Sequence, residues 1–210
     1  WRQALQASRW VARPPHDEAS AQAPLVHEEN LLYLRRYREY ERRLATGLRR
    51  IASTAPGRSD LSAIAPLFAM LFPDAHQADG QARAAALALV RSLLLVTGGP
   101  GTGKTTTITR VLLLLIAQAR MSGQPAPRIA LAAPTGRAAE RMAESLRAAI
   151  AGLRGVEGVD AAWCDALPSS ASTLHRLLGT IPDSPRFRHD ADHPLPFDAI
   201  VVDEASMVDL

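Results

Sequence analysis

Cysteine, lysine and long apolar runs are scarce in this sequence of 210 residues. The single cysteine, Cys164, excludes a disulfide framework and a zinc cluster built on cysteines. No apolar run approaches the roughly 18 residues that a membrane-spanning helix needs; the longest covers residues 111–117. The sequence has no secretory signal peptide and begins with Trp1, so we expect a fragment of a longer, soluble, cytoplasmic protein.

Lysine is nearly absent, because every basic residue except Lys104 is an arginine. An isolated ammonium on a flexible stem makes contacts that a planar guanidinium does not. The basic excess lies in residues 1–58, which hold 11 arginines and 6 acids, whereas the rest of the chain is slightly acidic. This excess fits a surface for nucleic acid or for an acidic partner, and it equally fits a solvated helix face.

Residues 1–75 predict a small all-α domain. Apolar residues recur at helical spacing over residues 31–51, and we expect their stripe to form core rather than a binding site. A second helix is predicted after Asp60, bent or restarted at Pro66, while residues 11–30 predict a loop. The stripe consists of Leu34, Tyr37, Leu44, Leu48 and Ile51.

Strands and helices alternate from residue 76 onward without hairpin signals, which is typical of a parallel sheet. Residues 180–197 predict a polar, proline-rich loop. The predicted strands cover residues 93–97, 128–133 and 199–202, and the predicted helices cover residues 77–91, 105–120, 136–151 and the short turn 172–178.

Residues 98–105 have the sequence GGPGTGKT, which matches the phosphate-binding pattern G-x-x-x-x-G-K-[ST] at every fixed position. Backbone amides of a glycine-rich turn and the N-terminus of the following helix suit a phosphate. Lys104 is expected to neutralise the β- and γ-phosphates, and the Thr105 hydroxyl to ligate Mg²⁺. The expected nucleotide contacts are Gly98, Gly99, Pro100, Gly101, Thr102, Gly103, Lys104, Thr105 and Thr106.

Two acids, Asp203 and Glu204, follow the predicted strand 199–202. Ligands of open α/β sheets bind where the strands end, so Asp203 is expected to hold Mg²⁺ and Glu204 to polarise the attacking water. Lys104 and Glu204 are therefore the predicted catalytic residues, with ATP and Mg²⁺ as cofactors. The fold class is α/β: an incomplete P-loop NTPase sheet of the RecA-like type over residues 76–210, preceded by the helical domain.

Two other segments place polar side chains at predicted helix starts. Thr135 and Arg137 follow the strand 128–133, and Thr173 and His175 open a short helical turn. These donors suit phosphates, and they equally suit a capped helix start. Gln81 has a side chain that can pair with N6 and N7 of adenine, although a lone glutamine is more often an ordinary surface residue.

The order of these motifs resembles that of superfamily 1 DNA helicases. Their sequences are similar to those of one branch, the RecD family, whose members are the alpha subunits of exodeoxyribonuclease V in RecBCD complexes. The resemblance rests on Gln81, GGPGTGKTTT at 98–107, LAAPTGRAAERMAESL at 131–146, STLHRLLG at 172–179 and VVDEASMVDL at 201–210.

This resemblance implies an ATP-driven motor that moves 5′→3′ on single-stranded DNA, in a complex that acts in double-strand break repair and recombination. It implies the beta and gamma subunits (RecB and RecC) as partners, with residues 1–75 docking onto the gamma subunit. Gln81 would read adenine. Helicase motifs that follow the Asp-Glu pair in this family are missing here, so the chain alone is expected not to unwind DNA. The residues implied to line the DNA channel are Thr135, Arg137, Thr173 and His175.

Two other interpretations remain open. One is a stand-alone helicase of the same branch outside RecBCD, which would carry a longer N-terminal region with helix-hairpin-helix repeats. The other is a non-motor P-loop protein that acts as an assembly or clamp-loading module. DNA dependence distinguishes a motor from such a module, because the ATPase of a motor rises sharply with single-stranded DNA.

Overall fold

The computed structural model describes residues 1–13, 23–54, 61–74, 79–99 and 101–208. These residues fall into two compact units, Trp1–Thr54 and a second unit that ends at Val208. Asp60, the predicted start of the second helix, and Pro100 of the phosphate-binding pattern lie outside the described residues.

The first unit is a small α/β unit rather than the all-α domain that we predicted. Its strands β1 (Val11–Ala12), β2 (Leu25–Glu28) and β3 (Leu31–Leu34) form a sheet in the order β1-β2-β3. Strand β2 is parallel to β1 and antiparallel to β3. A short helix α1 (Arg2–Ala7) precedes the sheet, and a long helix α2 (Arg35–Ser53) follows it.

The turn between β2 and β3 explains why the predicted helix over residues 31–51 begins late. Glu29 and Asn30 both adopt positive φ angles, 47° and 69°. Two such residues in succession form a tight hairpin turn, so the chain reverses and residues 31–34 pair with β2 instead of starting the helix. Asn30 is a residue type that favours such turns, but the helical spacing of the apolar residues led to the prediction of a helix.

The apolar stripe of α2 is not the core of the first unit. Leu34, Leu44 and Ile51 are exposed by 53%, 48% and 42%, so the predicted core role is wrong within the described residues. Helix α2 contributes a buried arginine instead. Arg38 donates from Nε and Nη2 to the two carboxylate oxygens of Glu28 on β2, at 2.7 and 2.8 Å.

The second unit has the predicted alternation of helices and parallel strands. Its sheet has the order β5-β4-β6, and β4 pairs in parallel with both neighbours. In chain order the elements are α3 (Ala65–Leu71), α4 (Gly80–Ala88), α5 (Lys104–Met121), β4 (Ile129–Ala133), α6 (Gly136–Leu153), α7 (Ala161–Asp165), β5 (Ser172–Thr173), α8 (Leu174–Leu178), β6 (Ala199–Val202) and a 3₁₀ turn, Ala205–Met207.

One predicted strand is missing, since residues 93–97 have no regular structure. Leu95 is 74% exposed and Val96 is 39% exposed. An apolar run becomes a strand only where a neighbouring strand accepts and donates its backbone hydrogen bonds. Strand β6 is an outer strand that pairs only with β4 among the described strands, and it does not supply those bonds to residues 93–97.

Helix α5 is the centre of the second unit. Helices α3, α4, α6 and α7 all contact α5. Because these contacts cover several sides of the helix, the run of apolar residues 111–117 is shielded from solvent. Helix α3 therefore belongs to this core, although our predicted domain boundary placed it in the first domain. No helix in the described ranges is long and apolar enough to cross a membrane. The fully buried apolar residues of α5 are Leu112, Leu113, Leu114, Ile116 and Ala117.

Candidate nucleotide site

Several predicted site residues lie at the carboxyl edge of the second sheet, where its parallel strands end. The last turns of α5 line a cavity of about 250 Å³ together with Asp198 and Ala199, at the start of β6. An 18-residue helix is about 27 Å long, so the first turn of α5 lies well away from this cavity. Thr173 ends β5, Thr135 follows β4 and Asp203 follows β6.

The phosphate loop, residues 98–105, bends in a way that favours glycine at two positions. Gly101 and Gly103 both have φ of 75°, a left-handed conformation that a residue with Cβ adopts only with strain. A Cβ on Gly98 would lie 2.8 Å from the Thr102 hydroxyl oxygen. The glycines thus allow a tight turn of the loop, the kind of backbone whose amides can approach an anion.

Lys104 folds back over the phosphate loop. Its Nζ donates to the carbonyl oxygens of Gly98 and Gly99 at 2.8 and 2.7 Å. The Thr102 hydroxyl also donates to the Gly99 carbonyl, at 2.9 Å. An ammonium has three donors, so one remains for a ligand. The charge of Lys104 is held at the loop, where the predicted phosphate contact requires it.

The first turn of α5 carries the other predicted nucleotide contacts. Thr105 is half-buried and Thr106 is exposed. Thr107 and Thr109 are buried, and their hydroxyls donate to the carbonyls of Gly103 and Thr105 at 3.0 and 2.8 Å. Both buried hydroxyls therefore have a hydrogen-bond partner within the helix, as polar groups in an apolar core require.

Gln81 lies against the phosphate loop, although it precedes Thr102 by 21 positions in the sequence. Asp79 caps α4 by accepting hydrogen bonds from the amides of Gln81 and Ala82 at 2.8 and 3.3 Å. The Gln81 side chain then donates from Nε2 to the Thr102 carbonyl at 3.1 Å. The structure therefore brings Gln81 to the loop, while its adenine-reading role stays a prediction.

Asp203 and Glu204 form a short, strained turn at the end of β6. The Asp203 amide donates to the Ala132 carbonyl of β4 at 2.9 Å, and the Glu204 amide donates to Oδ1 of Asp203 at 2.9 Å. Glu204 has φ of 49° and ψ of 39°, an uncommon conformation for a residue with Cβ. Within the described part of the chain, neither acid hydrogen-bonds to the phosphate loop.

Both threonines predicted to contact DNA are helix caps. Thr135 Oγ1 accepts from the Ala138 amide at the start of α6, and Thr173 Oγ1 accepts from the Arg176 amide at the start of α8, each at 3.2 Å. The sheet register pairs Ala133 with Thr173, so the two helix starts are neighbours. A capping hydroxyl still has its own hydrogen to donate, so the two roles are compatible.

Arg137 and His175 are both exposed next to these caps. The His175 ring meets the Phe187 ring edge-on, with centroids 5.7 Å apart. Sequence reasoning missed Phe187, because it treated residues 180–197 as a polar loop. The signal available in the sequence was the run Arg186-Phe187-Arg188-His189, in which an aromatic residue stands between two arginines.

A glycine-rich loop that opens a buried helix beside a parallel sheet defines the class of P-loop nucleotide-binding proteins. Comparison with protein families agrees, since the model described as an AAA domain matches residues 81–210. The chain belongs to this family of AAA domains, which implies that it binds a nucleotide.

Curated relatives confirm the resemblance to RecD subunits. The "RecBCD enzyme subunit RecD" of Mycobacterium tuberculosis is 46% identical over 204 residues, which cover 96% of this chain and 33% of the relative. Its counterpart in Mycolicibacterium smegmatis is 43% identical over 211 residues, 100% of this chain and 34% of the relative. The "ATP-dependent RecD2 DNA helicase" of Deinococcus radiodurans is 38% identical over 116 residues, 55% of this chain and 12% of the relative. The chain spans about a third of the length of the RecD relatives.

Proposed function

We propose that the protein containing this chain is a cytoplasmic, ATP-dependent 5′→3′ DNA helicase, the motor subunit of a RecBCD-type helicase and nuclease in double-strand break repair and recombination. The observation that carries this proposal is the extent of the similarity to a protein named RecBCD enzyme subunit RecD, 96% of this chain. This similarity includes the first unit, which lies outside the residues that match the AAA domain.

The phosphate loop supports ATP as the nucleotide. Lys104 would contact the β- and γ-phosphates, and Gln81, already placed at the loop by its bond to Thr102, would read the adenine. A Cβ on Gly98 or Gly103 would collide with Thr102 or Gln81. The glycines therefore allow the Thr102 and Gln81 side chains to pack against the loop backbone, and a bulkier residue at either position would disturb the loop.

Two hard oxygen donors fit a magnesium ion, the hydroxyl of Thr105 and the carboxylate of Asp203. When bound, the metal would neutralise charge on the phosphate oxygens. Glu204 would orient and polarise the attacking water. The backbone of Glu204 is left-handed, so its side chain does not take the direction that it would have if β6 continued. Backbone strain of this kind is typical of functional positions.

The DNA channel of the proposed motor runs along the carboxyl edge of the second sheet. Thr135, Arg137, Thr173 and His175 would contact the backbone of single-stranded DNA, which positions the strand without reading its sequence. Neighbouring helix starts after β4 and β5 support this proposal, because their donors stand side by side at the carboxyl edge of the sheet.

The first unit is the proposed docking surface for the gamma subunit, within a complex that also contains the beta subunit. Its apolar stripe begins at Leu34, the last residue of β3, and Leu32 on the same face of that strand is exposed by 46%. Contiguous exposed apolar residues of this kind mark protein interfaces. The same helix carries five exposed arginines, which would favour an acidic rim on the partner.

A stand-alone helicase is the second candidate, favoured by the similarity to the Deinococcus radiodurans RecD2 helicase. That match covers 55% of the chain, whereas the matches to RecD subunits cover 96% and 100%. The extra coverage favours the subunit over the stand-alone enzyme.

The full-length protein tests the proposal. Its ATPase should rise sharply with single-stranded DNA, and it should unwind partial duplexes with a 5′ overhang but not those with a 3′ overhang. Co-purification with the beta and gamma subunits would separate the subunit from the stand-alone helicase. A Lys104→Ala variant is the inactive control. An ATPase that is indifferent to DNA would instead indicate a non-motor P-loop module.

A further inference from the structure

The segment that links α8 to β6 folds back onto α8. The Arg188 amide donates to the Gly179 carbonyl at 2.8 Å, and the His189 amide donates to the Leu178 carbonyl at 3.0 Å. Thr180 and Phe187 form an antiparallel bridge next to these bonds. The run RFRH at residues 186–189 is thus held at the end of α8 instead of extending into solvent as a loose loop.

Gly179 makes room for the arginine of this run. It has φ of 74°, and a Cβ built on it would lie 3.1 to 3.3 Å from the Cβ, Cγ and Cδ atoms of Arg188. The aliphatic stem of Arg188 therefore crosses directly over the glycine that ends α8. A side chain at position 179 would displace it, so the left-handed glycine and the arginine are matched.

Phe187 stands beside the residues already proposed to contact DNA. Its half-buried ring meets the exposed ring of His175 at an interplanar angle of 66°. His175 lies two residues after Thr173, the end of β5 at the carboxyl edge. The aromatic pair consequently extends the proposed DNA face outward from the helix caps.

The charge around this pair is positive. Arg176, Arg186 and Arg188 are all exposed, and Asp183 is the one acid among residues 175–189. The next acid, Asp190, accepts from the amides of Asp192 and His193 at 3.0 and 2.9 Å, so its carboxylate is engaged within its own turn. Aromatic rings set among arginines suit single-stranded nucleic acid, because bases stack on the rings while the cations contact the backbone.

We propose that Phe187 and His175 form a stacking surface for one base of single-stranded DNA, and that Arg186 and Arg188 contact the phosphates beside it. The inference rests on the proposed DNA motor and deepens it, because it assigns DNA contacts to a segment outside every motif that carried the family resemblance. A base paired within duplex DNA has no free face, so the surface selects the single strand.

Replacement of Phe187 in the full-length protein tests the stacking contact. Phe187→Leu keeps an apolar side chain against His175 but removes the aromatic face. We expect it to weaken binding of a thymidine oligonucleotide about tenfold, within the range of measured stacking contributions. Binding of an abasic oligonucleotide of the same length should match that of the unmodified protein. Phe187→Tyr, which keeps the aromatic face, should bind both oligonucleotides normally.

Replacement of Arg188 tests the phosphate contact separately. Arg188→Ala should weaken binding of both oligonucleotides equally and lower the salt dependence by about one unit of slope, as for one lost phosphate contact. Arg120→Ala is the matched control, since Arg120 is an exposed arginine in the last turn of α5, at the opposite edge of the sheet. It should change neither affinity nor slope.

The outcomes separate this inference from the proposed function. Failure of the unmodified protein to bind single-stranded DNA would overturn the proposed function. Normal DNA binding and DNA-stimulated ATPase, with Phe187→Leu equal to the unmodified protein on both oligonucleotides, would overturn the stacking surface alone. An equal loss on thymidine and abasic oligonucleotides would also overturn it, since the ring would then only hold the segment in place.

Discussion

The Gln81 side chain donates a hydrogen bond from Nε2 to the main-chain carbonyl of Thr102, over 3.1 Å. The same nitrogen lies 2.7 Å from the position that a Cβ on Gly103 would occupy. A glutamine expected to read adenine is thus also in contact with the loop that would hold the phosphates. Its position is fixed by the Asp79 cap of α4, so the contact is built into the first turn of that helix.

Gln81→Ala should therefore weaken more than adenine recognition. We expect a several-fold loss of affinity for GTP and for inorganic tripolyphosphate as well as for ATP, because one hydrogen bond that holds the loop contributes about 1 kcal/mol. Competition binding with the three ligands measures this effect. Gln124→Ala, an exposed glutamine beyond α5, is the control. Loss of ATP affinity alone would show that Gln81 contacts only the base.

Lys104→Ala should abolish ATP hydrolysis by the full-length protein, because it removes the charge proposed to contact the phosphates. The fold should survive, because the hydrogen bonds of the half-buried Lys104 side chain within the described residues go to carbonyls of the phosphate loop. Lys104→Arg should also be severely impaired. Two carbonyls at 2.8 and 2.7 Å receive a compact ammonium, and a planar, wider guanidinium does not reproduce that geometry. Steady-state ATPase and circular dichroism measure the two properties. Near-normal hydrolysis by Lys104→Arg would refute the role assigned to the lysine.

Glu204→Gln and Asp203→Asn should separate chemistry from metal binding. The first variant is expected to retain ATP and Mg²⁺ binding but to lose hydrolysis, since the proposed base is gone and the metal ligand is not. The second should in addition require more Mg²⁺ for nucleotide binding. Nucleotide binding titrated against Mg²⁺, together with single-turnover hydrolysis, distinguishes them. Normal hydrolysis by Glu204→Gln would mean that another residue positions the water.

Short-range signals predicted most of the second unit. The helix predicted over residues 105–120 is α5, Lys104–Met121, and the predicted strands 128–133 and 199–202 are β4 and β6 within one residue. In each case apolar periodicity and a glycine, proline or capping residue point to the same structure. The strand predicted for residues 93–97 was wrong, because a buried-strand pattern gives no information on whether a neighbouring strand is present to pair with it.

Longer-range pairing explains the remaining differences. Strand β3 forms because β2 pairs with it across a two-residue turn, a contact that the helical spacing of the apolar residues does not reveal. Phe187 joins the site because Thr180 pairs with it across six intervening residues, in a stretch that has no periodicity. Gln81 was singled out for its side-chain chemistry, and only the fold shows that it touches the phosphate loop.

Arg137→Ala should weaken binding of single-stranded DNA about equally across sequences, because contacts to phosphates carry no base information. The salt dependence should fall by roughly one unit of slope. ATP affinity without DNA should stay unchanged, since Arg137 lies at the start of α6 and not in the phosphate loop. Salt titrations on two unrelated oligonucleotides measure the effect. Unchanged slopes on both would assign Arg137 to the helix surface only.

Glu28→Gln should destabilise the first unit by about 1–2 kcal/mol, because it leaves the buried guanidinium of Arg38 without its charged partner. Glu39→Gln is the matched control. It breaks an exposed pair with Arg43, and such pairs contribute less than about 0.5 kcal/mol. Hydrogen exchange of the β2 and β3 amides in the full-length protein reports the stability of this unit.

The same ion pair predicts how acid affects the first unit. The hydrogen bond from Arg38 holds the pKa of the Glu28 carboxyl below its ordinary value, so the folded state binds the proton less readily than the unfolded chain. The stabilisation is therefore complete above the unfolded pKa, about 4.3, and is lost as the pH falls through the lower folded value. Exchange of the β2 and β3 amides should accelerate below about pH 4 relative to Glu28→Gln, after correction for intrinsic exchange rates. Identical pH profiles for the two proteins would show that the carboxylate charge does not stabilise the unit.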